Sequence, residues 1–387
     1  MPEAVIVDAV RTPIGRAFKG SLAGQRPDEV GAYVVDQLLD RNSELEPAEV
    51  EEVMCGCGMP QGLQAFNIGR IIVLLSEKLP ESVNGVTISR YCASSLEAIR
   101  QAANSVTAGQ GDAYIAAGVE WVSRYNERTE PAGAADQNEN LQGKDGQPNA
   151  YIEMGLTAEN VADRYEVSRA DMDKYAQRSQ ELAVGSQESG FFDREIVPVK
   201  LPDGTEVAKD DGPRPSSTLE KLSQLEPAFR EDGKVTAGNS CPLNDGAAAA
   251  LVMSADRAKE LGIQPRARIL TAATFGNEPE YMGVAPIGAI KKVLDRSQMK
   301  IDDVDVVELN EAFAAQVIPI MDECDIPLDK LNTHGGAIAL GHPFGMTGAR
   351  IMSTLLNAME TDDHQVGLET MCVAGGQGEA MIVERLN

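Results

Sequence analysis

Four side chains that can carry nucleophilic or acid–base chemistry stand where the chain leaves an apolar or glycine-rich segment. Cys92, Asn310 and Cys372 each follow or end an apolar run of strand length, and His342 lies on a glycine-rich turn. In α/β proteins, functional groups collect at the carboxyl ends of strands. Taken alone, Cys92 is more typical of a buried structural cysteine. The set of four shifts the balance towards a nucleophilic cysteine.

The turn that carries His342 has the most distinctive local sequence. It lies within HGGAIALGHPFGMTGAR, residues 334–350, which holds two of the three histidines in the chain. Pro343 fixes its own φ and biases His342 away from the α region. Apolar residues then recur at helical spacing through residues 349–359. The pattern predicts His342 on a tight turn at the start of a helix, and the alternative is an incidental histidine at a helix start.

Cys92 has a comparable setting, because a helical pattern follows it directly. A thiol at a helix N-terminus experiences the positive end of the helix dipole and unpaired N–H groups. Both favour the thiolate form, and Arg90 nearby adds positive charge. We therefore expect Cys92 to have an activated thiol.

Composition limits the classes of partner. The 387 residues include 60 acidic and 34 basic side chains, which gives a formal net charge of −26. Nucleic acid and anionic membranes are therefore not expected partners, since phosphate attraction needs basic patches. Such acidity suits either a protein adapted to strong salt, as in a halophile, or an ordinary acidic cytosolic enzyme.

The remaining composition favours a cytoplasmic protein without metal. No N-terminal segment has the pattern of a signal peptide, and no apolar run approaches the length of a membrane span. The six cysteines are scattered and lack the paired spacing of zinc sites. Free thiols are typical of a reducing compartment.

Strand and helix patterns alternate in two parts of the chain, which predicts an α/β fold. We expect strands at residues 4–9, 50–59, 83–88, 112–119, 246–254, 266–275, 304–309, 366–373 and 379–384. Between the two parts lies an excursion with a polar, aperiodic segment at 123–150, helices, and an extended stretch at 191–201. The predicted domains are 1–118 plus 244–264, a loop domain at 119–243, and 265–387.

Six collinear motifs resemble those of the thiolases, the acetyl-CoA acetyltransferase and 3-ketoacyl-CoA thiolase family. The resemblance covers essentially the whole chain. The motifs are the Cys92 segment, MGLTAENVA at 154–162, VTAGNSCPLNDGAA at 235–248, NEAFA at 310–314, GGAIALGHPFGMTGAR at 335–350 and CVAGGQG at 372–378. The resemblance implies two similar βαβαβαββ halves in an α/β/α/β/α arrangement with an inserted loop domain.

The resemblance also implies a role for each chemical group. Cys92 is the expected acylated nucleophile, His342 its base, and Cys372 the second acid/base, acting at the α-carbon of the CoA substrate. Asn310 is expected to position a water that forms one oxyanion hole with His342. The backbone N–H groups of Cys92 and Ala374 are expected to form the other. Acyl-CoA and CoA are the implied substrates and partners, and no metal or redox cofactor is implied.

The substrate-binding residues follow from the same resemblance. Met154 is expected to line the acyl pocket, and Phe313 to bind the CoA substrate. Cys241 is expected at the pantetheine arm, where a serine is common, and Arg214 near the nucleotide. Lys221 and Arg230 are weaker candidates for phosphate contacts. The chain departs from the family at four further positions: Ser95 and Ala374, where glycine is usual, His334, where asparagine is usual, and Glu153, where some members have histidine.

Three alternatives to a thiolase fit the observed residues less well. A β-ketoacyl synthase shares the fold and the acyl-cysteine, but pairs the cysteine with two histidines, or a histidine and an asparagine, rather than with a second thiol such as Cys372. A silent thiolase-like binding protein would have lost Cys92, His342 or Cys372. A cysteine hydrolase would have no use for NEAFA and Cys372. We expect a homodimer or a homotetramer.

Overall fold

The computed structural model describes residues 1–125 and 136–387. Its strands are β1 (Ala4–Arg11), β2 (Gly15–Arg16), β3 (Glu52–Gly56), β4 (Asn84–Ile88), β5 (Ala113–Trp121), β6 (Val199–Lys200), β7 (Glu206–Val207), β8 (Asn244–Ser254), β9 (Ala267–Gly276), β10 (Val306–Leu309), β11 (Val366–Val373) and β12 (Gln377–Arg385). Its α-helices are α1 (Pro27–Arg41), α2 (Ile68–Leu75), α3 (Ser94–Thr107), α4 (Met154–Arg164), α5 (Arg169–Ser189), α6 (Leu219–Ser223), α7 (Ala255–Leu261), α8 (Ala285–Ser297), α9 (Ala314–Glu323), α10 (Ala337–Leu340) and α11 (Thr347–Thr361). Every predicted strand overlaps an observed one.

The two halves have the same strand order. The first half runs β1-β8-β5-β3-β4 and the second runs β9-β12-β11-β10. Strands β1 and β9 pair over two positions and join the halves into one sheet. The second half differs from the expected βαβαβαββ pattern at one point: the strand equivalent to β4 is reduced to a single bridge between Val307 and Leu331.

Three apolar clusters separate the layers. The central cluster contains the buried faces of α3 and α11, with Leu96, Ile99, Met352 and Leu355. The outer clusters lie under α1 and α2 on one side and under α8 and α9 on the other. Successive residues of β1 alternate between clusters, since Val5 belongs to an outer cluster and Ile6 to the central one. The expected α/β/α/β/α thiolase fold is therefore confirmed.

The excursion is tied to both halves. Arg11 of β1 pairs with Glu195 at 2.6 Å and Asp210 at 2.7 Å, and all three side chains are fully buried. Near its end, Ser240 and Phe313 form an antiparallel bridge. Removing Arg11 would leave two buried carboxylates without their cation, so this contact fixes the excursion against β1.

The excursion differs from the predicted structure in its extended stretch. Residues 191–201 are not extended throughout, because Phe191–Arg194 forms a 3₁₀ turn whose two phenylalanines are buried. Burial of adjacent aromatic rings on one side is compatible with a turn but not with a flat strand. Part of the polar segment at 123–150 lies outside the described residues. The domain boundaries stay a prediction.

Candidate active site

Three helices have their N-termini at one edge of the sheet, and the predicted functional side chains lie at or near these N-termini. Cys92 precedes α3, Asn310 precedes α9, and His342 precedes α11. The 3₁₀ turn that holds Cys92 packs against β11 and against the 3₁₀ turn Phe344–Met346. The topology therefore brings Cys92, His342 and Cys372 to one place from three distant parts of the chain.

The turn around Cys92 is tight. Tyr91, just before the cysteine, has a φ of 42°, which is uncommon for a residue with a side chain. Ser94 holds the turn, because its hydroxyl donates to the carbonyl of Tyr91 at 2.6 Å and accepts from the N–H of Arg90 at 2.9 Å. Ser95, where the family has glycine, accepts from the N–H of Ala349 at 2.9 Å and so links α3 to α11.

The electrostatic setting of Cys92 differs from the expectation of a resting thiolate. Loss of hydration raises the pKa of Cys92 well above its usual value, and Cys372 and Cys241 raise it further. A hydrogen bond from the backbone N–H of Ala374 opposes this rise. The dipole of α3 is therefore outweighed by burial. Cys92 rests as a thiol and needs a base to become a nucleophile.

His342 is held from three sides. Gly341 has a φ of 113°, and a Cβ there would lie 2.6 Å from the side chain of Asn244. Only glycine fits this approach, which lets Asn244 accept from the N–H of His342 at 3.0 Å. The imidazole Nδ1 lies 2.6 Å from the hydroxyl of Thr347, and Nε2 lies 3.2 Å from the amide of Asn310.

These contacts define the tautomer. The hydroxyl of Thr347 donates to the carbonyl of Pro343 at 2.8 Å, as a threonine in the first turn of a helix commonly does. It can then only accept from His342, so Nδ1 carries the proton and Nε2 keeps its lone pair. Burial and the charge of Arg350 lower the pKa of His342 to about 3. The imidazole is therefore neutral and able to accept a proton at ordinary pH.

Replacing Thr347 tests this arrangement. In Thr347→Val, Nδ1–H loses its acceptor and the tautomer with the proton on Nε2 becomes competitive, so we expect kcat/KM to fall roughly 10- to 100-fold. Thr347→Ser keeps the hydroxyl and should retain most activity. Thiolysis rates over a pH series, with melting temperatures for both variants, measure the effect. Equal activity of the two variants would contradict this role of Thr347.

Cys372 lies at the end of β11 and is fully buried. Burial raises its pKa to about 11, and a hydrogen bond from Gln316 opposes the rise. In the turn that follows, Gly375 and Gly376 have φ values of 77° and 79°. Ala374 does not need the conformational freedom of glycine there, and its N–H is directed at the thiol of Cys92.

Two buried carboxylates support the site, and the sequence analysis did not single them out. Glu120 accepts from the N–H groups of Gly58 at 2.8 Å and Gly345 at 2.7 Å, which ties the histidine turn to the end of β3. Glu311 accepts from Tyr175 at 2.8 Å and Ser179 at 2.6 Å. The position of Glu311 directly after Asn310 was the only sequence signal for either residue.

The residues expected at the acyl group and the pantetheine arm lie together. Met154 begins α4 and belongs with Phe313 and Cys241 to one apolar cluster. Phe229, which the sequence analysis missed, packs edge-on against Phe313 with ring centroids 6.0 Å apart. Glu153 is exposed at the N-terminus of α4.

A cavity of about 450 Å³ has Cys241 in its lining. Its lining includes Phe229 as well as three cations, Arg16, Arg214 and Lys221. Burial lowers the pKa of Arg214, and the charge of Arg16 lowers it further, which means that the two guanidinium groups lie near each other. Cys241 thus connects the cavity to the neighbourhood of Cys92 and Cys372.

The arginines considered for phosphate binding differ in whether they already form ion pairs. Within the described ranges, neither Arg16 nor Arg214 has an ion-pair partner, although the chain has a net charge of −26. Arg230 is paired with Asp163 at 2.9 Å and Asp232 at 3.0 Å. Arg230 is therefore not available to an anionic ligand, whereas Arg16 and Arg214 are. The sequence analysis missed Arg16, because only the pairing of β2 with β8 brings it to the cavity.

Residues 1–125 and 136–387 offer neither a metal site nor a membrane span. They contain no group of three or more histidine, cysteine, aspartate or glutamate side chains arranged to hold a metal ion. They also contain no helix of sufficient length and apolarity to cross a membrane.

Comparisons with known proteins agree with this architecture. The thiolase N-terminal domain model matches residues 4–256, and the thiolase C-terminal domain model matches residues 263–385. The β-ketoadipyl-CoA thiolase of Pseudomonas putida is 42% identical, with both chains fully covered. The 3-ketoacyl-CoA thiolase of Saccharophagus degradans is also 42% identical, over 99% of this chain and 98% of its own.

Solved structures give the same result. An acetyl-CoA acetyltransferase of Bacillus anthracis superposes with a TM-score of 0.91 at 38% identity, covering 100% of this chain and 99% of its own. The dimeric peroxisomal thiolase of Saccharomyces cerevisiae superposes with a TM-score of 0.93 at 37% identity, covering 100% and 98%. The chain belongs to the thiolase family, a class of acyl-CoA acyltransferases.

Proposed function

We propose that this thiolase carries its acyl group on Cys92 and catalyses the reversible exchange between a 3-ketoacyl-CoA plus CoA and two acyl-CoA molecules. The observation that carries the proposal is the convergence of Cys92, Cys372 and the N–H of Ala374 at the edge of the sheet where His342, unprotonated at Nε2 and in contact there with the amide of Asn310, precedes α11. A covalent acyl carrier, a base for the α-carbon and donors for the oxyanion are the functions that Claisen chemistry requires.

The first half-reaction uses His342. Its Nε2 takes the proton of the Cys92 thiol, and the thiolate attacks the thioester carbonyl of acyl-CoA. The N–H groups of Cys92 and Ala374 stabilise the developing oxyanion. CoA leaves as a thiol after His342 returns the proton. Asn310, whose Nδ2 contacts His342 and whose Oδ1 is buried without a partner, has an acceptor free for a bound water.

The second half-reaction uses Cys372. Its thiolate removes a proton from the α-carbon of a second acyl-CoA, and the resulting carbanion attacks the acyl group on Cys92. A carbon–carbon bond forms, the Cys92–acyl bond breaks, and the departing Cys92 sulfur takes the α-proton from the Cys372 thiol as the 3-ketoacyl-CoA departs. Thiolysis follows the same steps in reverse. No metal or redox cofactor enters these steps.

Steady-state kinetics test the proposal. Initial rates of acetoacetyl-CoA cleavage, measured while CoA is varied, should give the parallel double-reciprocal lines of a ping-pong reaction. Measurements with and without high potassium chloride also test the predicted adaptation to salt. Intersecting lines, or release of CO₂ from malonyl-CoA without thiolysis, would contradict the proposal and favour a β-ketoacyl synthase. No turnover by folded protein would favour a silent binding protein.

The paired arginines are proposed to meet the phosphates of CoA. Arg214→Ala and Arg16→Ala should each raise KM for acyl-CoA by roughly 10-fold, with kcat little changed, since each removes a charged hydrogen-bond donor. The effects should shrink as salt rises. Arg230→Ala is the matched control, because Arg230 is already ion-paired. An acyl-pantetheine substrate lacks the nucleotide and its phosphates. If the arginine variants raised KM for this substrate as much as for acyl-CoA, the assignment of Arg16 and Arg214 to the phosphates would be contradicted.

The acyl group is proposed to be acetyl or another uncharged chain, as for an acetyl-CoA acyltransferase. Met154, Phe229 and Phe313 offer an apolar surface at the expected acyl pocket. A terminal carboxylate would lose its hydration against these rings at a considerable cost. Comparing kcat/KM for acetoacetyl-CoA, a longer 3-ketoacyl-CoA and β-ketoadipyl-CoA tests this choice, and a preference for the dicarboxylic substrate would contradict it.

We also infer a homodimer or a larger assembly of dimers. Strand β4 ends the sheet order, and Phe66 and Leu74 beside it are 90% and 53% exposed. An unpaired strand edge flanked by apolar side chains is typical of an interface. Light scattering after size-exclusion chromatography gives the mass, and Phe66→Asp should weaken the assembly. A monomeric wild-type protein would contradict this inference.

A further inference from the structure

The second thiol of the site has a side-chain partner that the proposed mechanism does not use. Nε2 of Gln316 lies 2.9 Å from Sγ of Cys372, and both residues are fully buried. Gln316 lies in the first turn of α9, and its backbone N–H bonds to the carbonyl of Phe313 at 3.1 Å. The amide therefore reaches the sulfur from a rigid element.

The rest of the Gln316 side chain is tightly confined. A Cβ at Gly283, in the 3₁₀ turn Pro279–Val284, would lie 2.9 Å from Cβ and 2.9 Å from Oε1 of Gln316. Glycine at position 283 thus lets the turn close over the amide. Oε1 is buried without a hydrogen-bond partner. Among the described residues, the contact with Cys372 is the only hydrogen bond that the Gln316 side chain makes. Burial of the unpaired Oε1 costs stability.

Cys372 has few other means of supporting a negative charge. The titratable groups that influence the three thiols are the thiols themselves and the carboxyl groups of Glu120 and Glu311, and none of these groups is a cation. Burial disfavours the thiolate of Cys372, and the Gln316 amide is the side-chain donor that favours it. An N–H donor to an ionised acceptor forms one of the stronger hydrogen bonds.

We propose that Gln316 is a positioning residue that orients Cys372 and stabilises its thiolate for proton transfer at the α-carbon. The proposal rests on the proposed function, because it assigns Gln316 to the second half-reaction alone. Acylation of Cys92 does not involve Cys372 as a base, so loss of the amide should separate the two half-reactions.

The test compares Gln316→Met with wild type. Methionine has a similar length and no N–H, so it removes the donor with little change in volume. Two rates are measured: acyl transfer from acetyl-CoA to Cys92, followed by intact mass, and exchange of the acetyl methyl protons with D₂O, followed by NMR. We expect exchange to fall about 10²-fold, with Cys92 acylation within about 2-fold, and the pH limb of exchange to move to higher pH.

Two controls make the outcome specific. Ile320→Val perturbs the same helix one turn further on and should change neither rate, and melting temperatures establish that all variants fold. Gln316→Glu brings a like charge to the thiolate and should lower exchange at least as much as methionine. Unchanged exchange in Gln316→Met, or an equal fall of both rates without a shift in the pH limb, would overturn the proposal. Failure of the wild type to acylate Cys92 would overturn the proposed function itself, and this inference with it.

Discussion

Cys92→Ala is expected to lower kcat for thiolysis by about 10⁴-fold or more, because no second group can carry the acyl chain in the same place. The side chain is small, so its loss should leave the fold intact. Binding of acyl-CoA depends on the cavity and on Arg16 and Arg214, and should persist. Initial rates of acetoacetyl-CoA cleavage, with binding measured by calorimetry, give both quantities.

Cys324→Ala is the matched control for this variant. Cys324 is also a free cysteine, but it is buried at the end of α9 with an apolar environment and no role in the site. Its replacement should leave kcat within about 3-fold. Substantial thiolysis by Cys92→Ala, or a comparable loss in Cys324→Ala, would contradict the assignment of the nucleophile.

The second large effect is expected for Cys372→Ala, and it has a different character. Cys92 should still be acylated, because His342 and the N–H of Ala374 remain. Formation and cleavage of the carbon–carbon bond should fall by about 10²- to 10⁴-fold, which is the usual contribution of a general acid–base group. Rapid-quench measurement of acyl-enzyme, beside steady-state thiolysis, separates the two steps.

Cys241→Ser is the matched control here. It alters a third thiol in the same neighbourhood and restores the serine that is common in the family. A hydroxyl is a stronger donor than a thiol, so KM should stay similar or fall while kcat is retained. Loss of acylation in Cys372→Ala would contradict the division of labour, since it would mean that Cys372 acts before the carbon–carbon step.

Local chemistry explains what could be predicted from sequence. The glycine and proline around His342 require a tight turn, and the structure has Gly341 at a φ of 113° there. The strands were visible because apolar runs of strand length alternate with helical patterns. The residues that carry the proposed chemistry follow these elements, and the sequence motifs indicated them directly.

Long-range contacts explain what could not be predicted. Arg16 and Arg214 are far apart in sequence, and only strand pairing and the path of the excursion bring them together. Glu120 and Glu311 resemble ordinary acidic residues until their burial is known. The resting thiol of Cys92 likewise depends on burial by distant segments, which a local helix-dipole argument does not include.

One strand of the second half could not be predicted correctly for the same reason. A strand equivalent to β4 was implied by the likeness of the two halves, yet Leu331 makes only one bridge to Val307. Whether a short apolar stretch becomes a strand depends on the partners that the sheet offers, and not on its own composition.

The most direct measurement is the intact mass of the wild-type protein after incubation with acetyl-CoA, followed by peptide mapping. The predicted result is one acetyl group per chain, located on the peptide that contains Cys92 and removed when CoA is added. An acetyl group on Cys241 or Cys372 instead, or none on folded protein with free thiols that still cleaves acetoacetyl-CoA, would contradict acyl transfer through Cys92.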